Sequence, residues 1–255
     1  MSRILISSLL CLGMIASASA AIILRTFDNG FQNGGLIPDG SLDGWSDTRS
    51  VNLAEGQQIL DLQVTLTLSG GYNGDLYAYL IHGSGLAVLL NRAGVGQAQG
   101  DPIGYVDSGM SVTLAMTGAQ GNIHWYGGGG TPTGTYLPDG RAIDPLSAPS
   151  AFDTASTGAD FGSLAGLDPN GAWTLFVADV SAGGGQSAIS SWRLGIAAIP
   201  EPPTTLALAI SVLGFVVVAA GRRAYTRIRI GWRGPAESIP APHNPGLSRD
   251  ENLPA

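Results

Sequence analysis

Few residues in this chain have the types and spacing that catalysis needs. His82 and Ser84 flank Gly83 in a glycine-bounded turn, His124 stands beside Trp125, and His243 lies near the C-terminus. A serine and a histidine two residues apart cannot adopt the layout in which a third group orients the imidazole against the hydroxyl. No Gly-x-Ser-x-Gly elbow occurs. The only cysteine, Cys11, falls in an apolar N-terminal stretch, and all twelve basic residues are arginine. Cysteine nucleophiles, zinc–thiolate sites, disulfides of the mature chain, Schiff bases and the P-loop lysine are therefore excluded. The expected number of catalytic residues is none.

Carboxylates offer more. Asp39-Gly40-Ser41-Leu42-Asp43-Gly44 with Asp47 places three acids in what reads as a turn-rich loop. Flexible Asp/Gly loops supply the oxygen ligands that calcium needs, although this spacing misses the EF-hand pattern. A second candidate calcium set is Asp61, Asp75 and Asp179, if strand ends bring them together. Solvated turn aspartates are the plainer reading of both sets. Between residues 21 and 199 there are fifteen acidic residues and five arginines, about −10, which disfavours a nucleic-acid partner. Trp125, Tyr126 and Tyr136 lie in a glycine-rich stretch and are candidate glycan contacts, since exposed aromatics stack on sugar rings.

The elements that must position these residues are strands. Helical periodicity is absent, glycine is abundant, and apolar residues alternate with polar ones. The clearest run is 59–68, where Leu60, Leu62, Val64, Leu66 and Leu68 are expected to share the buried face. Further strands are expected at 75–81, 86–91, 110–116, 172–179 and 188–196, with turns at Gly70-Gly71, Asn73-Gly74 and Gly83-Ser84-Gly85. Trp173, Leu175 and Val177, with Trp192 and Leu194, should fill the core. Short strands with these turns predict an all-β, antiparallel sandwich of one domain over residues 21–198.

Tyr72-Asn73-Gly74-Asp75-Leu76-Tyr77-Ala78-Tyr79-Leu80, followed by Gly83-Ser84-Gly85, resembles the opening of the P domain (P/Homo B) of proprotein convertases. Asn170-Gly171-Ala172-Trp173-Thr174-Leu175-Phe176-Val177-Ala178-Asp179 and Ser190-Ser191-Trp192-Arg193-Leu194 resemble its closing strands. The resemblance spans residues 51–197 and implies a jelly-roll sandwich of the galactose-binding-like type. Residues 120–168 depart from the pattern and read as an inserted loop. The catalytic domain that such modules accompany has no room here, so the resemblance implies at most an accessory role beside a serine endopeptidase.

The ends describe an address. Residues 1–20 carry Arg3, an apolar stretch and the ending Ala18-Ser19-Ala20, the layout of a secretory signal peptide. Residues 204–221 are apolar and eighteen long, enough for one membrane helix, and Arg222, Arg223, Arg227, Arg229 and Arg233 follow. Arginines favour the cytoplasmic side, which puts the large preceding domain outside. Pro200-Glu201-Pro202, the apolar stretch, then Arg222 and Arg223 resemble, in that order, the PEP-CTERM sorting signal of Gram-negative bacteria. The resemblance covers residues 199–233 and implies an exosortase-type membrane protease as partner. A polar tail, 234–255, is expected to be disordered. The whole reads as an exported cell-envelope or extracellular-matrix protein with an adhesive or structural module. A carbohydrate- or calcium-dependent binding module is the alternative, with a polysaccharide or surface protein as partner.

Overall fold

Period-two alternation is realised as two sheets around one core. The computed structural model describes residues 21–98 and 101–200. The chain divides into two units, Met1–Glu201 and Pro202–Ala255, and every described residue lies in the first. Its strands are β1 (Ala21–Phe27), β2 (Ser41–Val51), β3 (Gln57–Ser69), β4 (Leu76–His82), β5 (Gly85–Asn91), β6 (Met110–Ala115), β7 (Thr133–Tyr136), β8 (Gly171–Asp179) and β9 (Ala188–Pro200). One short helix, α1 (Pro149–Thr154), follows β7. The sheets run β1-β9-β3-β6-β7 and β2-β8-β4-β5. All pairings are antiparallel except β6 with β7. The all-β expectation holds.

The predicted core residues meet where alternation places them. Trp173, Leu175, Val177 and Leu194 are fully buried and Trp192 nearly so, in one cluster that draws on both sheets. Trp192 carries its indole N–H into this core without leaving it unpaired. Nε1 donates to Asp47 Oδ2 at 2.8 Å, so a β9 side chain is tied to β2 of the opposite sheet.

Leu60 departs from the expected pattern. A register irregularity between Ile59 and Asp61 turns Ile59 inward and leaves Leu60 50% exposed. A bulge inserts one residue and so reverses the facing of everything before it. Strands β1, β2 and β7 were not anticipated. β2 hides behind an acidic, glycine-containing sequence and carries its own irregularity between Ser41 and Trp45.

Residues 120–168 are not a free loop. They contain β7, α1 and two single-turn 3-10 helices, Ile123–Trp125 and Phe161–Ser163. They also cover the open edge of β5. Asp139 N donates to Leu89 O at 3.1 Å, Gly140 N to Val88 O at 3.0 Å, and Val88 N to Ala159 O at 2.8 Å. Unpaired edges invite aggregation, and this strap closes one. Gly140 is required there. Its φ is +74°, and a Cβ would stand 2.2 Å from the Thr157 carbonyl oxygen.

The signal-peptide reading of residues 1–20 and the apolar segment 204–221 both lie outside the described residues. Among the described residues no helix is long and apolar enough to cross a membrane.

Candidate functional site

His82 closes β4, as the sequence suggested, but it is spent on the frame. Its Nδ1 lies 2.9 Å from Ala172 O and its Nε2 2.6 Å from Asp168 O. The ring stacks on Trp173, with centroids 4.0 Å apart and planes 3° from parallel. Both nitrogens face main-chain carbonyls, so neither is available as a base for Ser84, which sits exposed in the β4–β5 turn. The adjoining groove, about 470 Å³, is lined by His82, Ser84, Leu167, Asp168 and Asn170. It holds no nucleophile–base pair.

His124 is corrected more strongly. It falls in what reads from sequence as an inserted loop and is instead fully buried. Its Nδ1 lies 2.6 Å from Asp139 Oδ2 and its Nε2 2.9 Å from Val95 O. Asp139 Oδ1 accepts from Arg141 Nη1 at 3.0 Å, and Arg141 Nε donates to Phe152 O at 3.0 Å. Asp139 Oδ2 also accepts from Asn91 N at 3.2 Å. This network pins the strap and α1 to β5. Such networks are costly when broken, because each lost partner strands a buried polar group.

The first acidic set does not form a loop site. Asp43 and Asp47 lie within strand β2, four residues and about 13 Å of extended chain apart. Asp43 is exposed, while Asp47 Oδ2 is occupied by Arg49 Nε at 2.7 Å as well as by Trp192. Asp39 stands apart from both and accepts from Gly183 N at 3.1 Å.

The second set is brought together only in part. Asp61 belongs to β3 of the other sheet and accepts from Leu62 N at 2.8 Å, so it is removed. Asp75 and Asp179 are brought together, and Asp39 takes the third place. The Asp75 carboxylate is not a solvated turn group; it faces Arg92, whose Nη2 is 3.7 Å from Oδ1. Burial raises the Asp75 carboxyl above its usual range, against the opposing pull of Arg92. Burial pushes Asp179 to about 6, aided by the charges of Asp75 and Asp39 and opposed by the Ser187 hydroxyl. Among the described residues no three acidic or histidine side chains close round a common point as a ready-made metal centre.

The predicted glycan residues do not make a platform. Tyr136 is 5% exposed and packs into the core, because β7 is paired to β6 and turns this ring inward. Trp125 is half-buried between His124 and the guanidinium of Arg141, which lies 5.7 Å from its ring centre. Tyr126 is half-buried and its hydroxyl is used. It donates to Asp107 Oδ2 at 3.0 Å and accepts from Asn73 Nδ2 at 3.1 Å. Burial raises its phenol well above the ordinary tyrosine value.

A different aromatic group faces outward. Tyr77, Tyr79 and Phe176 occupy the outer side of the four-stranded sheet, each half-buried. Tyr79 stacks on Phe176 at 4.7 Å and 15°, and Tyr77 meets Tyr79 edge-on at 5.7 Å. Alternation with buried Leu76, Ala78 and Leu80 signalled this face in the sequence. Of the sorting residues, Pro200 ends β9 opposite Gln57. Glu201, Pro202, Arg222 and Arg223 lie outside the described residues.

No family model matches the chain, and no curated relative matches it. Among solved structures it is similar to a chain of the Aeromonas sobria serine protease complexed with its chaperone, at TM-score 0.40 and 13% identity. It is also similar to the serine protease of Aeromonas sobria, at TM-score 0.39 and 14% identity. The overlaps cover 72% and 70% of this chain, and it spans only 28% and 27% of theirs.

Proposed function

We propose that this chain is an exported, non-catalytic β-sandwich module held at the cell envelope by the segment after Ile199, where it works by adhesion or as a scaffold. One observation carries the non-catalytic part. Both histidines of the described unit have each ring nitrogen facing a carbonyl or carboxylate oxygen at 2.6–2.9 Å, which leaves Ser84 without a base. The address rests on the ordered triplet, apolar stretch and arginines of residues 200–233. An exosortase-type protease is the partner this order implies.

Carbohydrate is the second reading, supported by the Tyr77–Tyr79–Phe176 face rather than by the aromatics of the strap. Stacked, outward aromatics on a rigid sheet suit sugar rings better than side chains already packed. The P-domain-like motifs of β4, β8 and β9 support a third role, as an accessory to a serine endopeptidase. Glycan-array binding by the full-length chain separates these roles. Retention that falls at least tenfold in Tyr79→Ala supports the carbohydrate reading, and retention unchanged by Tyr79→Ala overturns it. Co-purification of a serine endopeptidase supports the accessory role instead. Hydrolysis of peptide or ester substrates by the purified chain overturns the non-catalytic reading.

A further inference from the structure

Three strands end side by side at one end of the four-stranded sheet. Asp179 closes β8, and its backbone pairs with Ser41 of β2 on one side and Leu76 of β4 on the other. Asp39 precedes Ser41 by two residues, and Asp75 directly precedes Leu76. Topology therefore gathers three carboxylates that are far apart in sequence. Asp179 feels the charges of both others, and Asp75 feels that of Asp39.

Their compensation is incomplete. Arg92 is the guanidinium that faces Asp75, at 3.7 Å, while its Nε is committed to Gly74 O. Ser187 Oγ donates to Asp179 Oδ2 at 2.8 Å. Asp179 Oδ1 makes no hydrogen bond of ordinary geometry, with only the Ser181 main chain near the carboxyl, although the residue is 0% exposed. A buried carboxylate oxygen without a donor is costly, and a cation removes that cost by supplying the missing charge and the missing contact together.

We propose that Asp39, Asp75 and Asp179 form a calcium site, with the unpartnered Oδ1 of Asp179 as its anchoring ligand. The donors are oxygens, with no histidine or thiolate among them, which selects a hard cation over zinc. The carboxylates do not already close round a common point, so the shell is completed by hydroxyl, main-chain and water oxygens. Ser181 beside Asp75 and Ser187 beside Asp179 are the hydroxyls at hand. Gly183, whose amide holds Asp39, brings a glycine-rich segment with positive φ to the site. Calcium tolerates such an irregular, partly hydrated shell, whereas magnesium demands near-octahedral geometry. Sites of extracellular modules bind in the range of about 0.1–1 mM, and this one belongs in that class. The inference is independent of what the module adheres to.

The test is thermal unfolding of the full-length chain, followed by tryptophan fluorescence, in chelator, in 10 mM calcium and in 10 mM magnesium. Calcium raises Tm by about 5 °C, as expected for a unit of this size at a concentration well above Kd, and magnesium does so by less than half. Asp179→Asn and Asp75→Asn each abolish the calcium shift, and Asp179→Asn keeps or raises the Tm measured in chelator. Asp28→Asn, at an exposed carboxylate outside the site, keeps the full shift. Terbium luminescence read at ambient temperature, displaced by calcium and lost in Asp179→Asn, reports binding without unfolding. No calcium shift in the parent chain, or an undiminished shift in Asp179→Asn, overturns the proposal. So does a chain in which Asp179→Asn raises Tm in chelator while terbium binding persists, since the carboxyl then merely carries a proton.

Discussion

The side chains with chemical potential in this protein are used to hold it together. Trp192 shows how: its ring fills the core and its N–H reaches Asp47 on the other sheet, where Arg49 already holds the same oxygen. Trp192→Phe removes that hydrogen bond and little apolar area. It should destabilise by about 1.5–3 kcal/mol, the range for a bond to a charged group, measured by urea unfolding. Trp173→Ala, by contrast, empties a fully buried site and strips His82 of its stacking partner. About 3–5 kcal/mol is expected from the cavity alone. The burial of Trp173 and Trp192 was legible in the sequence, because alternation is a local signal. The burial of His124 was not. Its partners Asp139 and Val95 are 15 and 29 residues away, and no period in the chain announces them.

At the scale of elements, two irregularities decide what faces where. The irregularity in β3 exposes Leu60 and buries Ile59, so the one-face reading of the strand fails at its first leucine. Leu60→Asp is therefore expected to change stability by no more than about 0.5 kcal/mol. Leu62→Asp, two residues on and 1% exposed, buries an unpaired charge and should leave no folded chain by circular dichroism. The strap over β5 is the second case. Its glycines and prolines looked like a loop because backbone bonds to an edge strand need no side-chain pattern. Gly140→Ala clashes with Thr157 O and should loosen it. Amide exchange at Val88, whose N–H is bound to Ala159 O, is expected to accelerate by at least tenfold, while exchange at Leu194 in β9, a strand paired on both sides, is unchanged. Equal acceleration at both sites would mean that the strap is not a separate local unit.

For the whole molecule, the strand pattern could be read from sequence, and with it the placing of Asp75 and Asp179 at strand ends. Which strands are adjacent, and so which ends meet, could not. Asp61 was assigned to the same end only because its sheet partner was unknown, and Asp39 was grouped with Asp43 and Asp47 only because they are near in sequence. The strand order β2-β8-β4 reverses both assignments. In the five-stranded sheet β9 runs between β1 and β3 and ends at Pro200, so the proposed sorting triplet begins within a paired strand. The account therefore stands on where the chain is delivered. The most direct measurement is fractionation of cells producing the full-length chain, with external protease applied to intact cells. The account predicts that the sandwich is found in the envelope or released outside, reachable by protease. It also predicts that replacing Pro200-Glu201-Pro202 together with Arg222 and Arg223 changes the fraction in which it appears. A chain that stays in the cytosol, protected until the cells are lysed, with or without those substitutions, would contradict it.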